Sequence, residues 1–235
     1  MEGVTPPPRI KICGITRVDD AERAVEAGAW ALGMILWSGS PRRCALPDAE
    51  RIAASFRRRA EVCGVFVNAP LDEVTATAEA IGLTMVQLHG DEGPSYCAEV
   101  ARRTGAKVMK AARVRGGADI IALEPFHTDF HLLDAYQPGL RGGTGETFDW
   151  ELVNRRRSTT PLVLSGGLTS ENVAAAIAAT HPFAVDTASG TEVRPGIKDP
   201  EKLRAFAAAV ASTAPPEEAA ESAGVAGEPQ AGRTA

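Results

Sequence analysis

Eight short apolar runs recur along this 235-residue chain, about 25 residues apart, with amphipathic stretches of helical spacing between them. The runs predict strands at 9–13, 31–36, 62–67, 85–88, 107–111, 130–133, 162–164 and 184–185. Helical patterns fall at 19–27, 48–58, 71–81, 95–103, 170–179 and 200–210, with weaker ones at 118–123 and 149–156. Eight strand–helix units predict a single (β/α)8 TIM barrel of the α/β class, spanning residues 9–211. The rival is an open doubly wound sheet, which would carry a Gly-x-Gly-x-x-Gly turn after its first strand; Gly14 stands alone there. Residues 1–8, with three prolines, are expected to form a flexible segment. Residues 212–235, rich in Ala, Pro, Glu, Ser and Gly without apolar periodicity, are expected to be disordered.

Charge and cysteine usage narrow the function. A net charge of −5 leaves no basic stripe for nucleic acid. The dense basic runs Arg57–Arg59 and Arg155–Arg157 each follow a helical pattern and read as solvated helix ends. No secretory h-region precedes Arg9, and the longest apolar run, Ala29 to Trp37, is too short to span a bilayer. The four cysteines form no Cys-x-x-Cys pair, which suits free thiols in a reducing cytoplasm. His127, His131 and His181 do not fall at strand ends where they could join His89 as ligands, so neither a metal nor a cofactor is expected.

In such a barrel the loops that follow the strands share one face, and the chemistry collects there. The first strand ends Lys11-Ile12-Cys13-Gly14-Ile15-Thr16, a thiol beside a turn, with Thr16 placed to cap the next helix. Ser40-Pro41-Arg42 follows the second strand, Asn68 the third, and Gln87-Leu88-His89-Gly90-Asp91-Glu92 the fourth. The sixth strand ends in Asp134, with Arg141-Gly142-Gly143-Thr144-Gly145 beyond it. Ser165-Gly166-Gly167-Leu168 closes the seventh strand, and Asp186-Thr187-Ala188-Ser189-Gly190 the eighth. Small residues in the last two loops let backbone N–H groups approach a phosphate, which assigns Gly166, Gly167, Ser189 and Gly190 to phosphate binding.

Cys13 and Asp134 are then the acid–base pair, on strands across the mouth from one another. Alternation puts Lys11 on the face of Cys13, roughly 7 Å below it. If that face lines the interior, the ammonium is expected to favour the thiolate, with Asp186 as its counter-ion. Arg42, on a short stiff loop, suits a carboxylate or phosphate.

These motifs, together with Gly-Val-Phe-Val-Asn at 64–68, Phe-Asp-Trp at 148–150, Glu-Asn-Val at 171–173 and Pro-Gly-Ile-Lys-Asp at 195–199, resemble the phosphoribosylanthranilate isomerase family from Arg9 to Val210. The resemblance implies an Amadori rearrangement in tryptophan biosynthesis, with Cys13 as general base and Asp134 as general acid. Arg42 would hold the anthranilate carboxylate, and His89, Gly143, Gly145 and Asp186 would complete the substrate site. The implied partner is a small phosphoribosyl substrate, and the implied state a monomer or homodimer. Met34 and Trp37 stand where the family usually has phenylalanine and tyrosine, which is expected to reshape the pocket wall. Ala188 replaces a usual serine. The alternatives are a histidine-pathway or bifunctional sister isomerase, which would carry aspartate at position 13, and a non-catalytic phosphosugar-binding barrel.

Overall fold

The computed structural model describes residues 7–135 and 149–214. Gly143 and Gly145, most of the N-terminal segment and all but the first three residues of the C-terminal tail lie outside them.

Eight parallel strands close into one barrel in chain order. They are β1 (Arg9–Cys13), β2 (Ala29–Ile35), β3 (Glu61–Phe66), β4 (Met85–Leu88), β5 (Lys107–Val114), β6 (Phe130–Ala135), β7 (Leu162–Leu164) and β8 (Ala184–Thr187). Among the described residues seven α-helices surround them: α1 (Val18–Glu26), α2 (Leu46–Phe56), α3 (Leu71–Ile81), α4 (Pro94–Thr104), α5 (Gly117–Ile121), α6 (Val173–Thr180) and α7 (Pro200–Ala211). The 149–156 pattern forms a 3₁₀ helix, Trp150–Arg155, in place of an α-helix. Strand alternation makes two cores. Ile12, Leu32, Val62, Val86, Val108, Leu164 and Val185 pack outward against the helices. Cys63, Val65, Met85, Met109, Ala111, Leu132, Val163 and Ala184 fill the interior.

Several expectations change. Thr16 does not cap α1: Arg17 occupies the N-cap position, and the Thr16 hydroxyl donates to the Gly196 carbonyl at 2.6 Å. That carbonyl belongs to a hairpin not foreseen, β9 (Glu192–Arg194) and β10 (Ile197–Lys198). Its turn has Pro195 followed by Gly196 at φ +78°, the sequence a type II turn demands. β5 runs three residues past its expected end, to Val114, because Arg113 continues the inward face rather than opening a loop. Arg156 is no freely solvated helix end, since its Nε and Nη2 are buried without a hydrogen-bond partner. No helix among the described residues is long and apolar enough to cross a membrane.

Candidate active site

The barrel closes where β8 meets β1, and that register places Lys11 opposite Asp186. Parallel partners point the same way, so the two side chains meet inside the barrel with Lys11 Nζ 2.7 Å from Asp186 Oδ1. The other Asp186 oxygen, Oδ2, accepts from the Ser165 hydroxyl at 3.0 Å. Burial alone would drive the Lys11 ammonium toward neutrality. Asp186, backed by Cys13 and Cys63, reverses this and holds it protonated well above the ordinary lysine range.

Above this pair lies a pocket with about 750 Å³ of free space, counted out into its mouth. Cys13, Arg42, His89, Asp134, Gly166, Gly167, Asp186 and Ser189 all line it. Gly190 does not. It sits where the β7 and β8 loops touch, and a Cβ there would meet the Leu168 carbonyl at 2.1 Å. That same carbonyl accepts from the Thr187 hydroxyl at 2.7 Å, so the two loops are fastened at this point. Gly166 and Gly167 turn the β7 loop through consecutive positive φ values of +92° and +68°, a path closed to most side chains.

At the thiol the expected pull of Lys11 is present but does not prevail. Burial pushes Cys13 above the ordinary thiol range; Lys11, Lys198 and the Gly14 N–H oppose it, while Asp186 adds to it. Lys11 does favour the thiolate, but the carboxylate that neutralises Lys11 also cancels much of its field. Cys63, below in the interior, is pushed by burial up to about 12.

Arg42 is 9% exposed and is held by Glu192, whose carboxylate accepts from Nε at 2.9 and 3.1 Å. Both contacts run through Nε. Glu192 also accepts from Lys198 Nζ and the Gly196 N–H, each at 3.2 Å. Burial lowers Lys198, with Glu192 working against the drop. This ion cluster under Arg42 was not anticipated, because no local pattern pairs Arg42 with Glu192 or Lys198. Arg113 was also missed. It lines the pocket, and its register partner on β6 is Asp134.

His89 Nε2 lies 3.3 Å from Asp134 Oδ2. Its loop is anchored by Glu92, which accepts from the N–H groups of Asn68 (2.7 Å) and Gly90 (2.8 Å) and from Lys110 Nζ (2.9 Å). Burial would raise Glu92, but Lys110 and the backbone N–H groups of Asn68 and Glu92 itself prevail and hold it below the usual carboxylate range. Trp37 lines the pocket, as its divergence suggested; Met34 does not, since it packs outward among the helices. All four cysteines are unbridged. Among the described residues, no cluster of three or more His, Cys, Asp or Glu could hold a metal ion.

A closed (β/α)8 barrel whose mouth sets a thiol and a carboxyl around one pocket, beside two small-residue loops, defines an acid–base barrel enzyme. Residues 10–209 match the family described as N-(5'-phosphoribosyl)anthranilate (PRA) isomerase, and the chain belongs to that family. It is 50% identical over 196 residues to N-(5'-phosphoribosyl)anthranilate isomerase of Citrifermentans bemidjiense, covering 83% of this chain and 93% of that one. The phosphoribosyl anthranilate isomerase of Thermus thermophilus superposes with a TM-score of 0.79 at 38% identity, over 87% of this chain and 98% of its own. A relative solved with reduced 1-(o-carboxyphenylamino)-1-deoxyribulose 5-phosphate gives 0.75 at 36%, over 87% and 99%. Monomers derived from the dimeric Thermotoga maritima enzyme give 0.75 at 37%, over 87% and 98%.

Proposed function

We propose that this barrel converts N-(5'-phosphoribosyl)anthranilate to 1-(2-carboxyphenylamino)-1-deoxyribulose 5-phosphate, the isomerisation step of tryptophan biosynthesis. The observation that carries the reading is the placement of Cys13 and Asp134 on one pocket, in a chain of this family.

Asp134 donates a proton to the ribose ring oxygen, and the C1'–O bond breaks to give a protonated Schiff base. Cys13 then takes the C2' proton, the electron pair moves toward C1', and the resulting enolamine tautomerises to the ketone. In the empty pocket burial keeps the thiol protonated. The cationic Schiff base supplies the positive charge that draws out the thiolate, the thiol proton passing to solvent water at the pocket mouth, so the base is armed by its own substrate. Arg42, fixed at Nε by Glu192, turns its Nη groups to the anthranilate carboxylate. Gly166, Gly167 and Ser189 receive the phosphate through backbone N–H groups, and Gly190 keeps their two loops in contact. His89 supports the acid, and Asp186 holds the Lys11 ammonium beneath the base. No cofactor takes part in any of these steps. Acid and base each contribute about 10²–10⁴-fold.

The enzyme works in the cytoplasm as a monomer or homodimer; light scattering reporting a larger assembly would refute the latter. The thiol at position 13 favours the tryptophan-pathway substrate over the histidine-pathway one. The deciding experiment follows the loss of anthranilate fluorescence from freshly made substrate, coupled to excess indole-glycerol-phosphate synthase. Turnover by the wild type and its collapse in Cys13→Ala are expected. A folded wild type that turns over only the histidine-pathway substrate, or merely binds phosphosugars, would overturn the reading.

A further inference from the structure

One polar side chain in the pocket, Gln87, has no part in the roles given above. Gln87, on β4, is 1% exposed, and its Nε2 lies 3.0 Å from His89 Nδ1. The other ring nitrogen faces Asp134 Oδ2 at 3.3 Å. Gln87 Oε1 and His89 Nε2 are both buried, and neither makes a directed hydrogen bond. A glutamine amide carries a donor and an acceptor in nearly the same shape, so a half-turn exchanges them. The orientation of this amide therefore decides which ring nitrogen holds the proton.

With the NH₂ group toward Nδ1, that nitrogen must accept. The single proton of the neutral ring then sits on Nε2, the nitrogen nearest the Asp134 carboxylate. With Oε1 toward Nδ1, the proton belongs on Nδ1, and Nε2 can share a second proton with Asp134. We propose that Gln87 and His89 are positioning residues that load Asp134, the amide setting the His89 tautomer and so whether Asp134 stands empty or carries its proton. The inference rests on reading Asp134 as the general acid.

The protons balance. Loading takes one proton from water into the Nε2···Oδ2 contact while Nδ1–H donates to Gln87 Oε1. Ring opening moves that proton to the sugar oxygen, leaving an Asp134 carboxylate and a neutral ring. The amide then turns back, and the ring exchanges its Nδ1 proton for one at Nε2 through water.

Other charges surround the pair without distinguishing the two amide orientations. Arg113, on β5, donates from Nη2 to the His89 carbonyl at 3.3 Å. Cys13, Arg42 and Asp186 line the same pocket, Asp186 paired with Lys11. Asp91 accepts from Asn68, and Glu92 from Lys110. Gln87 is thus the residue whose replacement alters the ring proton most directly.

The test pairs ¹⁵N NMR of the His89 ring with kcat–pH profiles of wild type, Gln87→Met and Gln87→Glu. We expect the neutral wild-type ring to be protonated at Nε2. Gln87→Glu, acceptor only, should hold Nδ1–H and move the alkaline limb of kcat up by about one pH unit. Gln87→Met should lower kcat roughly tenfold with KM within about threefold. A neutral ring protonated at Nδ1 in the free enzyme, or an unmoved alkaline limb in Gln87→Glu, would overturn the proposal. The tautomer is read without turnover, so the result stands if Gln87→Met does not fold. Failure of the underlying reading shows elsewhere, as normal turnover by Asp134→Asn.

Discussion

The two ends of the barrel interior are built from opposite materials. At the N-terminal end, Trp30, Phe130 and Phe183 pack with ring centroids 5.3–5.5 Å apart, and the Arg9 guanidinium lies 5.2 Å from the Phe183 ring centroid. Eleven to thirteen residues into the chain, the same β1 face carries Lys11 and Cys13, and the C-terminal mouth gathers Arg42, His89, Arg113, Asp134 and Asp186. Along β6 the change takes four residues, from Phe130 through Leu132 to Asp134. Aromatic contacts at the base stabilise without requiring a partner of opposite charge. Buried ions around the mouth pair off, Lys11 with Asp186 and Arg42 with Glu192, an arrangement that contributes little net stability. The base holds the barrel together so that the mouth can afford chemistry.

The contrast breaks most sharply at Asp134. Asp134→Asn should cost about 10²–10⁴-fold in kcat while the protein stays folded. Steady-state kinetics beside thermal melts check it, and a large fall in Tm with kcat preserved would reverse the assignment of the two ends. Phe130→Ala should do the opposite. Phe130 is buried at the base, so its loss should destabilise by about 3–5 kcal/mol. At about 2–4 °C per kcal/mol for a chain of this size, that is a readily measured drop. At a temperature where the variant is folded, its kcat should match wild type; a matching collapse of kcat would mean the ends are mechanically coupled.

How far this division could be read from the chain follows from periodicity. Alternation fixes which strand residues face inward, so Cys13, His89, Asp134 and Asp186 could be named as mouth residues before any contact was known. Arg113 escaped because it stands before Arg115-Gly116-Gly117, where polarity signals a loop although the strand continues to Val114. Glu192 and Lys198 escaped for another reason. Their pairing depends on a hairpin folding back over Arg42, and no local pattern states which distant side chain a turn will cover. The pull of Lys11 on the thiolate was legible but its defeat by burial was not, because position reveals a neighbouring ammonium more readily than the balance of burial and counter-charge.

Lys11 is where the two ends should cease to be separable. Lys11→Met leaves Asp186 charged in the interior, a change that typically costs about 3–5 kcal/mol. The raised Lys11 pKa fixes the pH dependence. Its stabilisation is present below the unfolded lysine value of 10.5 and disappears only as pH rises through the higher folded value. Urea melts should therefore show a nearly constant gap between wild type and Lys11→Met from pH 6 to 9. A gap closing in that range would mean that the pair carries no net charge interaction. Asp186→Leu added to Lys11→Met should recover stability without activity, dividing the structural share of the pair from its effect on Cys13.

A smaller effect follows at the thiol itself. Removing the ammonium while keeping Asp186 takes away a group that favours the thiolate and leaves one that opposes it. Cys13 alkylation, read by mass spectrometry of its peptide, should rise only as pH climbs beyond the ordinary thiol value of 9.0 in wild type, and later still in Lys11→Met. Equal curves would show that Lys11 exerts no pull on the sulfur.

The smallest change is expected at Ala188, on the rim of the mouth. Its carbonyl accepts from Lys198 Nζ at 2.9 Å, from the Thr191 hydroxyl at 3.1 Å and from the Thr191 N–H at 3.3 Å. Three donors on one carbonyl fix the backbone there whatever side chain it bears, and the Ser189 N–H is carried along with it. Ala188→Ser adds a hydroxyl to a loop whose backbone is already held, and one neutral hydrogen bond contributes about 0.5–1.5 kcal/mol at most. KM for the phosphoribosyl substrate and the dissociation constant of inorganic phosphate should fall by less than about tenfold, with kcat unchanged. A larger gain would show that side-chain hydroxyls, rather than the backbone, grip the phosphate. The mouth would then resemble the base less than its rigid loops suggest, with affinity set by individual side chains instead of by the frame.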